Sequence, residues 1–297
     1  MKRLLFSLIL WLPLGAHAAL NVFACEPEWA ALARELGGDN VKVYSATTAL
    51  QDPHHIEARP SLIAQMRRAN LVVCSGAELE AGWLPLLLRD AGNAAVQPGR
   101  PGYFEATQFV TMLEKPARLD RSGGDVHAAG NPHIHTDPRN IARVGKALST
   151  RLAEIDPARA AAYRARGEAF DARWQEAITR WETRAAPLRK LPVAVQHKSF
   201  SYLLTWLGMR EIITLEPRPG IEPSVGHLAR VAETLQTTPA KMVLCAAYHR
   251  PRPADWLSQR SGIPAVVLPY TVGGSKQASD LFGLFDDTLD QLLKAAQ

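Results

Sequence analysis

The stretch LPVAVQHKSFSYLLTWLGMREIITLE, Leu191 to Glu216, decides the fold. LPVAVQ is a short apolar, β-branched run. SFSYLLTWLG carries its apolar residues at helical spacing and closes on Gly208, and REIITLE is a second apolar run. Strand, helix and strand in succession point to parallel strands with a helix laid across them. The rhythm continues downstream. SVGHLARVAETLQTT reads as a helix, AKMVLCAA as a strand, PADWLSQRSG as a helix, PAVVLPY as a strand and ASDLFGLFDDTLDQLLKAA as a closing helix. It also runs through the first hundred residues. LNVFAC, NVKVYSAT and LVVCSG read as strands; EPEWAALARELGG, RPSLIAQMRRAN and AELEAGWLPLLLRDAG read as helices. No sequence repeat relates the two sets.

Between them, the segment from Gln97 to Pro132 breaks the pattern with Gly and Pro and predicts a strand or two plus a loop. TDPRNIARVGKALSTRLAEI then opens a helix, with Thr136 or Asp137 as its cap and Pro138 in a first turn that needs no N–H partner. The run from Pro157 to Ala186 predicts one long helix of about 45 Å at 1.5 Å per residue. Its Tyr163, Phe170, Trp174, Ile178 and Trp181 recur at threes and fours, as core packing requires. The expected fold is therefore α/β. Two lobes, each a mostly parallel sheet flanked by helices, occupy residues 19–155 and 187–297 and are joined by one long rigid linker helix, 156–186.

Residues 1–18 stand apart. Lys2 and Arg3 precede an apolar run from Leu4 that Pro13 and Gly15 break, and Ala16-His17-Ala18 supplies a small-x-small cleavage site. These are the parts of a cleavable secretory signal peptide, and no Cys follows to carry a lipid. An exported, periplasmic protein without stable membrane insertion is expected. The 34 basic residues less Lys2 and Arg3 leave 32 against 29 acidic ones, about +3, and the arginines are scattered rather than gathered, so nucleic acid is not expected as a partner. Cys25, Cys74 and Cys245 each end an apolar strand-like run, which suits buried small residues. Cys25 and Cys74 can form a disulfide if their strands are neighbours, and an odd count leaves at least one thiol over.

Ligands of open α/β sheets bind beyond the carboxyl ends of the strands. Three histidine-bearing segments fall there: QDPHHIEARP with His54 and His55, GNPHIHTDP with His133 and His135, and VQHKSF with His197. The first two belong to one lobe and the third to the other, so a cleft would unite them. Pro53 and Pro132 each precede a histidine and fix its backbone, which lowers the entropy lost on coordination. Imidazole is a common zinc ligand. From the residues alone, a metal site competes with solvent-exposed loop histidines.

DPHHIEARPS, GNPHIHTDP and VQHKSFSYL, in that order around a long helix, resemble the cluster A-I substrate-binding proteins of ABC importers, receptors for zinc, manganese or iron. The resemblance spans the whole mature chain. It implies two α/β lobes bridged by a rigid helix, metal between the lobes, and His54, His133 and His197 as ligands. A histidine at position 197, where manganese-type members usually have Glu, implies zinc rather than manganese or iron. The usual Asp directly after the last strand is missing: Val272, Gly273 and Gly274 follow PAVVLPYT, and the nearest carboxylate is Asp280. Asp280 is the expected fourth ligand, with water or Glu57 as the alternative, and helix capping is the competing role for Asp280. His135 replaces the family's usual Trp. His55, Glu57 and His135 are candidates for supporting or transient metal contacts. His127 is a candidate for metal capture, although the plainer reading of His127, His227 and His249 is surface histidine.

A monomeric periplasmic zinc receptor is thus expected, serving the membrane permease of an ABC importer, with a metallochaperone as a possible source of metal. The competing class is a secreted zinc hydrolase, with three histidines, an open water position and Glu57 as base. Against it, the chain contains no H-E-x-x-H and no G-x-S-x-G.

Overall fold

The computed structural model describes residues 18–116 and 124–297. The expected signal peptide, all but its last residue, and residues 117–123 of the Gly/Pro-rich segment lie outside them.

Two four-stranded parallel sheets form the framework. The first, in the order β2-β1-β3-β4, comprises β1 (Leu20–Ala24), β2 (Val41–Ser45), β3 (Leu71–Cys74) and β4 (Tyr103–Glu105). The second, in the order β6-β5-β7-β8, comprises β5 (Pro192–Val195), β6 (Arg210–Thr214), β7 (Met242–Ala246) and β8 (Ala265–Leu268). β1 pairs with β2 from Leu20↔Val41 to Ala24↔Ser45, and β5 pairs with β7 from Val193↔Met242 to Val195↔Leu244. Of the central strands, β3 and β7 are buried at every residue, as helices on both faces of a parallel sheet demand. The first sheet is covered by α1 (Pro27–Gly37), α2 (Pro60–Arg68), α3 (Leu84–Ala91) and α4 (Pro138–Ile155). Asp137 caps α4 by accepting the Arg139 N–H at 2.9 Å.

The linker helix α5 (Ala160–Arg184) has 25 residues, about 37 Å at 1.5 Å per residue. It starts later than the pattern predicts because Pro157 heads a tight turn, closed by the Arg159 N–H on the Asp156 carbonyl. Its buried stripe is Tyr163, Phe170, Trp174, Ile178 and Trp181. The Trp174 indole donates to the Pro138 carbonyl at the head of α4, and its ring packs against Phe282 and Phe285. The Trp181 indole donates to Asp286. Those partners lie on α9 (Leu281–Ala296), which closes the second lobe behind α6 (Ser201–Leu207), α7 (Val225–Thr237) and α8 (Arg252–Ser261). One helix face thus joins elements of both lobes.

One predicted helix is shorter than its pattern. Residues 77–83 form turns, with Ala77 and Glu78 at positive φ, and α3 begins only at Leu84. The buried Glu80 carboxylate folds back to accept the Ser75 N–H at 2.8 Å and the Gly76 N–H at 3.1 Å. Trp83 turns inward to donate to the Pro53 carbonyl at 2.9 Å. These side-chain bonds outweigh helical spacing, and the last of them anchors the residue before His54.

Cys25 and Cys74, on the neighbouring ends of β1 and β3, form a disulfide across a Cα–Cα distance of 4.8 Å. Cys245 is free and buried; burial pushes its thiol up to about 12. Beside the disulfide, burial and then the neighbouring Glu80 raise Glu26 well above the ordinary carboxyl range. Burial likewise pushes Glu80 up to about 7.

Ellman's reagent should find no reactive thiol in the native protein and one per chain after denaturation without reductant; three would refute the Cys25–Cys74 bond. The raised carboxyls also set a pH dependence. The folded state holds protons on this pair that the unfolded chain releases near pH 4.5, so stability falls as pH rises from there through about 7. Thermal melts of Glu80→Gln, whose amide can donate to Glu26, should lose less stability across that window than the parent does.

Candidate metal centre

His54, His133 and His197 meet where the two lobes face each other. One ligand atom from each lies within 4.8 Å of the others, and the residues are 8%, 1% and 6% exposed. Local chemistry fixes each ring. Asp52 Oδ1 accepts both the His54 backbone N–H at 3.0 Å and the ring Nδ1–H at 2.7 Å. Asn131 Oδ1 accepts the His133 N–H at 2.9 Å, and the Tyr270 hydroxyl bonds His133 Nδ1 at 2.6 Å. His197 follows the end of β5, and its Nδ1–H is held by Glu216 Oε2 at 2.7 Å.

All three rings therefore spend Nδ1 on an oxygen and turn Nε2 inward. Carboxylates only accept, so the Nδ1 atoms of His54 and His197 carry the protons and their Nε2 atoms present lone pairs. His54 Nε2 is buried with no partner, and the Nε2 atoms of His133 and His197 stand 3.4 Å apart. Oxygen behind imidazole with nitrogen lone pairs in front is the arrangement that orients histidines on a metal ion. Burial, reinforced by His54 and His197, holds His133 well below its usual range, so it is neutral and ready to coordinate. Burial alone would raise Asp52, but its bonds to His54 keep it ionised well below the ordinary carboxylate range.

A fourth imidazole stands beside this centre, outside the group whose ligand atoms lie within 4.8 Å of one another. The His127 ring stacks on His54 with centroids 5.4 Å apart, and its Nε2 is buried without a partner. Burial and then His54 push it down to about 4. Its loop is held on both sides: the Asp125 N–H donates to the Pro219 carbonyl of the second lobe at 2.9 Å, and the Ala128 N–H donates to Glu78 of its own lobe at 2.7 Å. Gly124 permits that approach. It sits at φ +84°, and a Cβ there would lie 2.1 Å from the Pro219 oxygen. His127 is therefore not the surface histidine expected, and neither is His249, which lies 5.5 Å from the His197 ring. His227 sits in the first turn of α7, apart from the cluster.

The structure does not bring the other candidates into the centre. Asp280 is the N-cap of α9: its Oδ1 accepts the Gly283 N–H at 2.7 Å, in a groove shared with Arg34, Glu35 and Arg166. The cap competed with coordination for this side chain and won. Glu57 is exposed. His55 is exposed and reaches only Asp52 Oδ2, at 3.2 Å. His135 is fully buried. Its Nε2 donates to the Tyr270 carbonyl at 2.9 Å, and its Nδ1 lies 3.1 Å from Glu28 Oε1, though not aligned as a hydrogen bond. It steadies the residue that holds His133 rather than meeting the centre. Sequence reading missed Tyr270 and Glu216 as ring anchors. Nothing local marks Tyr270; Glu216 could have been found as the carboxylate after the strand neighbouring β5.

Residues 22–295 match the model of the family described as zinc-uptake complex component A, periplasmic. The chain is 23% identical over 248 residues to the high-affinity zinc uptake system protein ZnuA of Bacillus subtilis (strain 168), covering 82% of this chain and 76% of that one. It is 21% identical over 267 residues to the manganese ABC transporter substrate-binding lipoprotein PsaA of Streptococcus pneumoniae, covering 88% and 83%. A crystal structure of ZnuA superposes with a TM-score of 0.78 at 21% identity, covering 94% of this chain and all of that one.

Asp280→Ala should lower stability by about 1 kcal/mol, the worth of a lost N-cap. Metal affinity, measured by competition with a chromophoric chelator, should stay unchanged; a large loss would return Asp280 to the centre.

Proposed function

The chain belongs to the family of periplasmic zinc-uptake complex component A, and from that premise we propose that its cargo is zinc, held by His54, His127, His133 and His197. It is a substrate-binding receptor of an ABC importer, working with a membrane permease, and not an enzyme. The hydrolase alternative has no support: Asp52 and Glu216 are spent on imidazole Nδ1 atoms, and Glu57 is exposed. Among the described residues no helix is long and apolar enough to cross a membrane. The leader read from Met1 to Ala18 supports the periplasm as the working location.

The observation that carries the reading is the buried trio of inward Nε2 atoms, each with its Nδ1 pinned from behind. The donor set supports zinc. Four imidazoles around one ion suit zinc's tetrahedral preference, whereas manganese favours oxygen ligands. No carboxylate oxygen takes part in the trio. His127 closes the fourth position in place of the carboxylate expected at Asp280. A closed shell of four protein ligands leaves no place for a reactive water, which is what a carrier requires.

Zinc should raise the melting temperature, by about 2.7 kcal/mol of added stability at 100 times Kd. His133→Ala and His197→Ala should each weaken zinc by more than the roughly 10–100-fold that the supporting partners of ligands command. His127→Ala should also weaken it, and zinc should displace manganese in direct competition read by elemental analysis. Tighter retention of manganese would overturn the metal assignment, and an unchanged affinity in His127→Ala would remove that residue.

A further inference from the structure

His197 also belongs to a second group of side chains able to hold a metal, with Glu216 and His249, which the four-imidazole centre does not use as ligands. β5 and β7 are neighbours in mid-sheet. The chain leaves β5 towards β6 on one side and β7 towards β8 on the other, which opens a crevice at their carboxyl ends. His197 flanks that crevice from β5 and His249 from β7. The two loops are fixed to each other: Gln196 donates to the Arg250 carbonyl at 3.1 Å and accepts the Cys245 S–H, and Ser199 bonds the Tyr248 hydroxyl at 3.1 Å. The His249 ring packs on Tyr248 at 4.1 Å.

Within this frame one ligand atom each of His197, Glu216 and His249 lies within 4.8 Å of the others. His249 Nδ1 is buried and has no partner. The described hydrogen bonds to the Glu216 carboxylate, from His197 and from the Gly220 N–H at 2.8 Å, both fall on Oε2, which leaves Oε1 for a ligand. The cavity there, of about 210 Å³, carries on its wall the carboxylates of Asp52, Asp125, Glu216 and Glu222 and, among the described residues, the one cation of Arg250. Such a wall concentrates divalent cations.

We propose a second, weaker divalent-cation position in this cavity, with His249 Nδ1 and Glu216 Oε1 as its protein ligands and water completing the shell. It rests on the receptor reading and extends it, for an ion held there stands one imidazole ring away from the main centre. Two protein ligands and an open shell make it weaker than the four-imidazole site.

The test is equilibrium dialysis of the exported chain against Zn²⁺, read by elemental analysis. Two equivalents are expected, the second filling at a zinc concentration at least about 100-fold higher than the first. His249→Ala should lose the second equivalent and keep the first; His133→Ala should weaken the first and keep the second. His249→Gln, which preserves bulk, serves if the alanine variant does not fold. Saturation of the parent at one equivalent overturns the proposal, as does a second equivalent that survives both His249 substitutions. Loss of the first equivalent in His249→Ala also overturns it, by assigning His249 to the main centre. A parent that binds no zinc at all overturns the receptor reading itself, and this position with it.

Discussion

The site depends on one constraint: each inward histidine is gripped from behind. Asp52, Tyr270 and Glu216 hold the Nδ1 atoms of His54, His133 and His197 and leave three Nε2 atoms with nowhere to point except at each other. Buried lone pairs without donors are costly, and a cation relieves that cost. Relief of that cost would be part of the affinity for a cation bound there. The two carboxylates and one phenol divide the task unequally. Asp52 is local in sequence to its histidine, Glu216 follows the neighbouring strand β6, and Tyr270 reaches His133 from the other lobe.

That last contact makes the centre a device for joining lobes as well as for holding an ion. His133 is bonded to Tyr270, whose carbonyl is held by His135, and Thr271 next to it bonds Glu28 of the first lobe. Asn131 donates to the Lys198 carbonyl, and the Tyr202 hydroxyl donates to the Asn131 carbonyl. Behind this network α5 is sewn to both sides by Trp174 and Trp181. A wide hinge motion would have to part that aromatic cluster and strip buried hydrogen bonds together. Small movements of the surface loops cost far less. The loop carrying His127 reaches the second lobe through the Asp125–Pro219 bond.

The architecture was legible because parallel strands buried on both faces leave short apolar runs, and helices that cover them leave threes and fours. The convergence of residues 54, 133 and 197 was legible because proline before a histidine and a histidine at a strand end are local signals. The rest is not local. The helix expected from Ala77 fails because buried Glu80 prefers backbone N–H groups that only the folded corner presents. Asp280 was chosen for its nearness along the chain to the last strand, but its side chain was already committed to capping α9. His127 and His249 carry no motif; their value comes from loops that dock in three dimensions. Tyr270 stands 137 positions from the ring it holds, and no spacing rule reaches that far.

The two sheets share one strand order, yet they are used differently. In the second lobe the crevice between β5 and β7 stays open and is lined by His197 and His249. In the first lobe the corresponding crevice, between β1 and β3, is filled. Glu26, Glu80, Ser75 and the Trp29 indole occupy it, and the Cys25–Cys74 bond closes the strand ends. The raised carboxyls there share their burial instead of offering charge to an ion. With its own crevice sealed, the first lobe reaches the cleft through loops that project beyond the sheet, and His54, His127 and His133 are all on such loops. One lobe is therefore a wall that extends ligands and the other a cleft that receives them. On the proposed ligand set, an ion between them would be bonded mostly to the wall and bordered by the open side of the cleft, a path out that would not require the lobes to separate.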